Sequence, residues 1–385
     1  MKRICHLSSA HVGLDVRIFL KECVSLAEAG YETHIVINAT PEDVAKAAAK
    51  GIHIHPLARP ESRVERMCTH AWRCYRIAAR LDAHVYHFHD AELIPYGILL
   101  SLVGKEVIYD SHEHLPRSIL SKHWIPGWAR RLVAGATAAI EYVGAKLFFS
   151  VVAATPFIAE RFQRITPRAI NINNYPLPNE FASVATGERK QQVCYLGGIS
   201  RIRGLKPVIE ALPLVPHVKF VLCGQFSDAT YEAELRALPG WKQVEYLGQV
   251  DRTRLRGVMG ESMAGIVTFL PEPNHVDAQP NKLFEYMSAS LPVIASDFPL
   301  WRLLIAGVGA GLCVDPESPM AIAEAIHALT SDAQGAQRMG DAGRDAVLNR
   351  YNWPVEAARL VSFYEGLGWN AAPDARGLEV RGPNT

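Results

Sequence analysis

The stretch DAQPNKLFEYMSASLPVIASD, Asp277 to Asp297, sets two acids, Asp277 and Glu285, around a proline-led helix start. Pro280 suits the first helical position, so the N–H groups of Asn281, Lys282 and Leu283 are expected to lie open at a helix N-terminus. Such an end attracts an anion, and Lys282 adds a formal positive charge. Glu285 stands about one turn beyond Asn281, where a carboxylate accepts hydrogen bonds from vicinal hydroxyls such as those of a ribose. Asp277 would look in from the loop toward another hydroxylated group. A phosphate at the helix end with sugars on both sides describes a nucleotide-sugar. The plainer alternative makes one acid a helix-dipole partner and leaves the other on the surface.

A second constellation follows the run QVCYLG, where the chain reads GISRIRGLKPVIEAL. Gly197 and Gly198 allow close backbone approach, Gly204 precedes a helix, and Arg201 and Arg203 stand in the loop between. Paired cations beside a glycine turn suit a diphosphate, and they equally suit a solvated basic loop. G-x-x-x-x-G-K-[ST] is absent, and no G-x-G-x-x-G follows the first strand. Nucleotide-triphosphate hydrolysis and nicotinamide chemistry therefore lose support.

These residues need elements to hold them. Short β-rich runs (RICHLS, THIVIN, IHIHPL, VYHFH, VIYDS and FFSVVAAT, then QVCYLG, VKFVLCG, VEYLG, AGIVTFL, PVIAS and GLCVD) alternate with helical patterns such as 17–29, 63–81, 129–145, 205–212 and 281–289. Continuous apolar strands separated by helices predict parallel sheets covered on both faces, and two such series predict two doubly wound α/β domains. The expected division is 1–180, 185–350, a C-terminal helix over 351–370 crossing back to the first domain, and a disordered tail over 371–385; the joint lies in the Pro- and Asn-rich segment 173–190. Ligands of open parallel sheets bind beyond the carboxyl ends of the strands, so the site belongs in the cleft between the domains.

Bulk composition agrees with a soluble, two-domain chain. It has 385 residues, 49% hydrophobic and 21% charged, with a net charge of +1 that disfavours nucleic acid as the main partner. Seven scattered cysteines without a C-x-x-C pair read as free thiols in a reducing compartment. The N-terminus MKRICHLSSAHVGLD is too polar for a signal peptide, and the weakly polar region 132–159 is interrupted by Glu141, Lys146 and Pro156. A cytoplasmic protein, with peripheral contact at the membrane face, is expected.

The ordered set YLGGISRIRGLKPVIEAL, FVLCGQFSD, VEYLGQV and DAQPNKLFEYMSASLPVIAS resembles the donor half of the retaining GT-B glycosyltransferases of family 4. The first half, through HVGLDVRIFLKECVSLAEAGYETHIVI, VYHFHDAELIP and VIYDSHEHLP, is similar to a bacterial polysaccharide branch of that family with an Asp-x-Arg-Ile-Phe opening. The resemblance implies a GT-B fold of two Rossmann-like domains. It makes Glu285 the second acid of an E-x7-E motif, bonded to the donor ribose, and Asp277 the first acid, shorter than the usual Glu. The usual arginine after Gly197 is replaced by Gly198. Arg203 aligns with the family lysine on the diphosphate, and Arg201 is inferred to replace the lost cation. Pro280 replaces a family glycine. His112 aligns with the histidine that reaches the transferred sugar, with Glu113 beside it to orient the ring or touch acceptor.

On the other side of the cleft, Asp15 and Arg17 are expected to face acceptor or diphosphate. Alternation along HFHD puts His87 and His89 on one strand face and Phe88 on the other. With no further ligand evident, a structural or acceptor-side role for His89 and Asp90 is expected rather than zinc. No metal or cofactor is implied; the nucleoside-diphosphate sugar is the co-substrate. A glycan or lipid-linked oligosaccharide acceptor is expected, as in surface or exopolysaccharide assembly, because RVERMCTHAWRCYRIAAR and SKHWIPGWARR mix cations with Trp and Tyr, a composition suited to anionic headgroups. Rival readings are a nucleotide-sugar 2-epimerase of the same fold and a module that binds sugar-nucleotide without turnover.

Overall fold

Among the described residues, every neighbouring pair of strands runs parallel, which requires each connection to cross back over a sheet face. The structure, a computed structural model, describes residues 2–120, 125–178, 189–273 and 275–367. The first half forms a seven-stranded sheet of order β3-β2-β1-β4-β5-β6-β7, from β1 (Arg3–Val12), β2 (Glu32–Asn38), β3 (His53–Leu57), β4 (Val85–Phe88), β5 (Glu106–Ser111), β6 (Ser150–Ala153) and β7 (Ala169–Asn171). The second half forms a six-stranded sheet of order β10-β9-β8-β11-β12-β13, from β8 (Gln192–Leu196), β9 (Lys219–Cys223), β10 (Val244–Gly248), β11 (Ala264–Val267), β12 (Val293–Ser296) and β13 (Gly311–Val314). All the expected strands are present, and β7 is additional; its three residues carry too short a pattern to register as a strand.

Strand order reverses at β1/β4 in one sheet and at β8/β11 in the other. Loops leaving these strands diverge and open a crevice, and the two crevices face each other. The candidate residues follow from that geometry. Asp15 and Arg17 lie just after β1, Asp90 after β4 and His112 after β5, while Gly197 follows β8 and Asp277 lies beyond β11.

Strand alternation sorts the first sheet's residues by face. Cys5, Leu7, Tyr86, Phe88, Val107 and Tyr109 pack under one layer of helices. Ile4, Val85, Ile108 and Val152 pack on the other face against Trp353, Leu360 and Tyr364, which come from the helix Trp353–Glu365. This last helix follows the second half in sequence yet buries its apolar stripe on the first. Each large side chain buried there contributes roughly 1.5–3 kcal/mol. Asn173 donates from its backbone N and its Nδ2 to the Glu356 carboxylate, both at 3.0 Å, and Trp353 N donates to Pro176 O at 2.9 Å. The expected joint overlaps residues 179–188 and the expected tail begins beyond 367; both lie outside the described residues.

Candidate active site

A cavity of about 780 Å³ lies between the halves, lined by His11, Asp15, Arg17, His112, Glu113 and His114 on one side and by Gly197, Arg203, Asp277, Asn281, Lys282 and Glu285 on the other. On the second side the geometry is set by close backbone approach. Gly197 has φ +123, and a Cβ there would meet Lys282 Cε and Nζ at 2.6 Å. Lys282 therefore lies flat across the glycine, with Nζ 5.4 Å from the Tyr195 ring centroid. Gly204, at φ +67, lets the turn approach Thr268 O, which a Cβ would meet at 1.8 Å. That approach seats Arg203 4.2 Å from the Phe269 ring centroid and in the cavity wall.

Lys282 and Arg203 are like charges in a confined space. Burial, and then the neighbouring guanidinium, hold the Lys282 ammonium below its ordinary pKa, with Glu285 pulling the other way. An anion between the two cations would relieve that repulsion. Glu285, half-buried one turn along the helix Asn281–Ser288, lines the same wall.

Several expectations need correction here. Pro280 is the residue that caps the helix, not its first member, with φ −68 and ψ 133. Leu283 offers no open N–H, because it donates to Pro280 O at 3.1 Å, and its side chain is buried in the core. Arg201 does not replace the missing cation. Its guanidinium lies 4.8 Å from the Tyr231 ring centroid and pairs with Glu234, outside the cavity. In the turn Arg201–Arg203 the two arginines point apart, and only Arg203 faces the cleft. Gly198 is also absent from the lining. Asp277 lines the cavity, but its Oδ2 accepts a hydrogen bond from Arg117 Nη1 at 2.8 Å, across the cleft. The same Nη1 donates to Pro273 O at 3.2 Å.

The first side is built from buried charge. Arg17 lines the cavity, yet its guanidinium is engaged inward: its Nε and Nη2 donate to the two oxygens of Asp110 at 2.9 and 2.8 Å and its Nη1 to Ile172 O at 3.2 Å. Asp110 Oδ2 also meets His112 Nε2 at 3.0 Å and His89 Nδ1 at 3.2 Å, so one carboxylate braces the whole group. Burial opposes the Asp110 charge, yet Arg17 and then His112 hold its pKa well below the carboxylate range. Glu22 goes the other way: burial, then the Asp110 charge, push its carboxyl up. Asp15 caps the helix Val16–Cys23, accepting from Arg17 N and Ile18 N.

Asp90 is a brace for the loop after β1. Its Oδ2 accepts from Ser8 Oγ, Ser9 N and Ala10 N at 2.7, 2.7 and 3.1 Å, and its Oδ1 lies 3.2 Å from His11 Nδ1. Burial lowers the His11 pKa, but the Asp90 hydrogen bond and charge outweigh it and the net shift is upward. His89 is buried rather than open to the cleft, whereas His112 and Glu113 line the cavity. His114, also in the wall, is held near a pKa of about 4 by burial and then by Arg161. Asp110, Glu22, His6, His11 and Arg117 carry no motif of their own. For Asp110 the one available signal was an acid at the end of an otherwise apolar strand.

Residues 178–346 match the family described as Glycosyl transferases group 1, and residues 16–176 match a Glycosyl transferase 4-like domain. The phosphatidyl-myo-inositol mannosyltransferase of Mycobacterium leprae is 27% identical over 216 residues, covering 52% of this chain and 52% of that protein. The Mycolicibacterium smegmatis counterpart is 26% identical over 179 residues, 45% of this chain and 44% of its own. The chain thus spans about half the length of the curated relatives it matches. Among solved structures, a sucrose-phosphate synthase from Thermosynechococcus elongatus superposes with a TM-score of 0.73 at 19% identity, over 96% of this chain and 100% of that one. Anabaena HepE in complex with UDP and glucose gives 0.70 at 15%, over 95% and 100%.

Proposed function

Because the chain belongs to glycosyltransferase family 4, whose GT-B fold it shares, we propose that it moves a hexose from a nucleoside-diphosphate sugar, with retained configuration, to a hydroxyl of a glycan or lipid-linked oligosaccharide. The observation that carries this reading is the pair of like charges, Lys282 and Arg203, facing one cavity beside Gly197 and Glu285. Two cations held in one cavity wall mark a place for a polyanion. Glu285 then receives the ribose hydroxyls.

Charge development dictates the chemistry. As the glycosidic bond stretches, negative charge grows on the leaving diphosphate, and Lys282, Arg203 and the Asn281 end of the helix stabilise it where it forms. The acceptor hydroxyl attacks from the same face, and its proton passes to the departing phosphate oxygen. His112, fixed through Nε2 by Asp110, presents its ring to the transferred sugar. Arg117 and Asp277 bridge the halves, which brings the two walls together, excludes water and aligns acceptor with donor.

The acceptor reading draws on the helix Gly127–Leu147, which leaves Trp128 79% and Leu132 68% exposed near Arg130 and Arg131. An apolar, cationic face on the first half suits a lipid-linked acceptor at a membrane surface. Trp72, from the other aromatic stretch, packs with Tyr75 and Tyr96 and is part of a local cluster. Ser121 to Trp124 lie outside the described residues. Among the described residues, no helix is long and apolar enough to cross a membrane.

Thermal shift of the purified chain against nucleoside diphosphates and their sugars tests the donor site. UDP-sugars come first, because HepE binds UDP, and mannose donors next, because the curated relatives are mannosyltransferases. A stabilisation selective for one base and abolished in Glu285→Ala is expected; a ligand at 100 times its Kd adds about 2.7 kcal/mol. No shift with any nucleotide would remove the reading.

A further inference from the structure

On the first sheet's face beneath the cleft, the apolar layer of Ile4, Val85 and Ile108 is followed by polar residues two positions further along each strand: His6, His87 and Asp110. His89 continues the layer from the end of β4, and Glu22 enters it from the helix Val16–Cys23. His6, His87, His89 and Glu22 are all buried, with exposures of 0–4%. Sequence pattern showed two of these histidines and no third or fourth ligand. The parallel register supplies His6, opposite His87, and helix packing supplies Glu22.

Their polar atoms converge. His6 Nδ1 and His89 Nε2 lie 3.0 Å apart, and each is 3.9 Å from Glu22 Oε2. Donor atoms from all four residues fall within 4.8 Å of one another. Four ligands arranged tetrahedrally at bonds of about 2.0–2.2 Å stand about 3.4 Å apart, the middle of the measured triangle. The contacts among them are too few for a group so deeply buried. Glu22 Oε2 and His87 Nε2 have no hydrogen-bond partner. Buried polar atoms without partners are rare because each costs the desolvation it fails to recover.

Outward-facing atoms of His89, His87 and Glu22, by contrast, have polar neighbours. His89 Nδ1 meets Asp110 Oδ2 at 3.2 Å, His87 Nδ1 meets Tyr364 OH at 2.7 Å, and Glu22 Oε1 lies 3.1 Å from Arg17 Nε. For His87 and His89, a hydroxyl or carboxylate on the far nitrogen is the arrangement that orients a histidine toward a metal, whereas His6 is held from its strand alone. His89, donating from Nδ1 to Asp110, must present a lone pair at Nε2. His6 Nδ1, 3.0 Å away, must then share either a proton or a cation with it. A proton satisfies that pair alone; a cation satisfies Glu22 and His87 as well.

We propose that His6, His87, His89 and Glu22 hold one zinc ion inside the first domain, beneath the cleft. Three imidazoles and one carboxylate are the ligand class for zinc, and closure by four protein ligands makes the site structural. The ion connects to the cleft through His89, Asp110 and His112 and through Glu22 and Arg17, so its work is to set those side chains and to join β1, β4 and the helix that carries Glu22. The proposal is independent of the transferase reading, since its test needs no donor or acceptor.

The test is metal analysis of the full chain purified from zinc-supplemented cells, paired with the absorption spectrum of protein produced on cobalt. About one zinc per chain is expected, with the intense visible bands of tetrahedral cobalt(II) in the substituted form. Glu22→Gln and His87→Ala should lose the metal. Tyr364→Phe, which keeps every ligand, should release it to a chelator at about 10–100-fold lower concentration than wild type. A chain free of zinc after supplementation would overturn the proposal. So would zinc retained equally by folded Glu22→Gln and His87→Ala, since the ion would then sit elsewhere. If those two variants fail to fold, the cobalt spectrum of the wild type and the Tyr364→Phe release decide the matter.

Discussion

The two walls of the cleft solve the same problem by opposite means. The wall from the second half is made of backbone: glycines at positive φ bring the chain close, and two cations lie over it with their charge exposed to the cavity. The wall from the first half is made of buried side chains: Arg17, Asp110, His89 and Glu22 lock one another behind His11, Asp15, His112 and its neighbours. One side keeps its electrostatic stress unrelieved until a ligand arrives; the other relieves it internally. Substitutions on the two sides should therefore fail differently. First-half changes should cost folding, and second-half changes should cost donor recognition with the fold intact.

Arg17→Leu presses hardest on that contrast. It strips the buried Asp110 carboxylate of the guanidinium that engages both its oxygens, so unfolding free energy in urea should fall by about 3–5 kcal/mol. Unchanged stability would show that the first wall is not held by this pair. Arg203→Ala should do the reverse, lowering kcat/KM for transfer by about 10²–10³ with the urea midpoint preserved. An equal loss of stability would erase the distinction between the walls. Arg117→Ala removes the bridge to Asp277, a pair about one-third exposed on each side. Such pairs contribute about 0–1 kcal/mol, so a rise of a few-fold in KM with little change in melting temperature is expected. A large drop in melting temperature would mean that the bridge holds the halves together rather than closing them on substrate.

The smallest effect is protonic. His11 has its pKa raised in the folded protein by Asp90, against the pull of burial, so the folded state holds that proton more tightly than the unfolded one. The stabilisation is complete below pH 6.5, the unfolded value, and is lost as pH rises through the folded pKa of His11. NMR titration of the His11 ring should place its midpoint above 6.5 in the wild type and lower it in Asp90→Asn. A midpoint indifferent to that change would show that Asp90 braces the loop through Ser8, Ser9 and Ala10 alone.

The same contrast explains what could be read from sequence. The second-half wall residues legible in the sequence lie in two short segments, 197–204 and 277–285, where spacing along one turn or helix start constrains geometry directly. Gly197, Arg203, Lys282 and Glu285 all line the cavity. Even there, local spacing left the direction of a long side chain open: Arg201 and Arg203 are two residues apart and point apart, because Glu234, thirty-three positions along the chain from Arg201, captures the first. The opposite wall joins residues from β1, β4, β5 and two helices, so its members become neighbours only through strand register. His6 beside His87 is a consequence of pairing order, and Glu22 of helix packing; no window of sequence contains either fact. The fold was legible for a related reason: parallel strands buried on both faces leave continuous apolar runs that need no partner to be seen.

The helix Trp353–Glu365 carries a mechanical consequence. Because it returns to the first half, the chain passes between the halves twice, and Asn173 gripping Glu356 pins the two passages side by side. A single tether would let one half swivel freely over the other. Two tethers fastened at one edge permit rotation about one axis and resist the rest, as the pin of a clamshell does. Opening and closing of the cleft is then one angular coordinate.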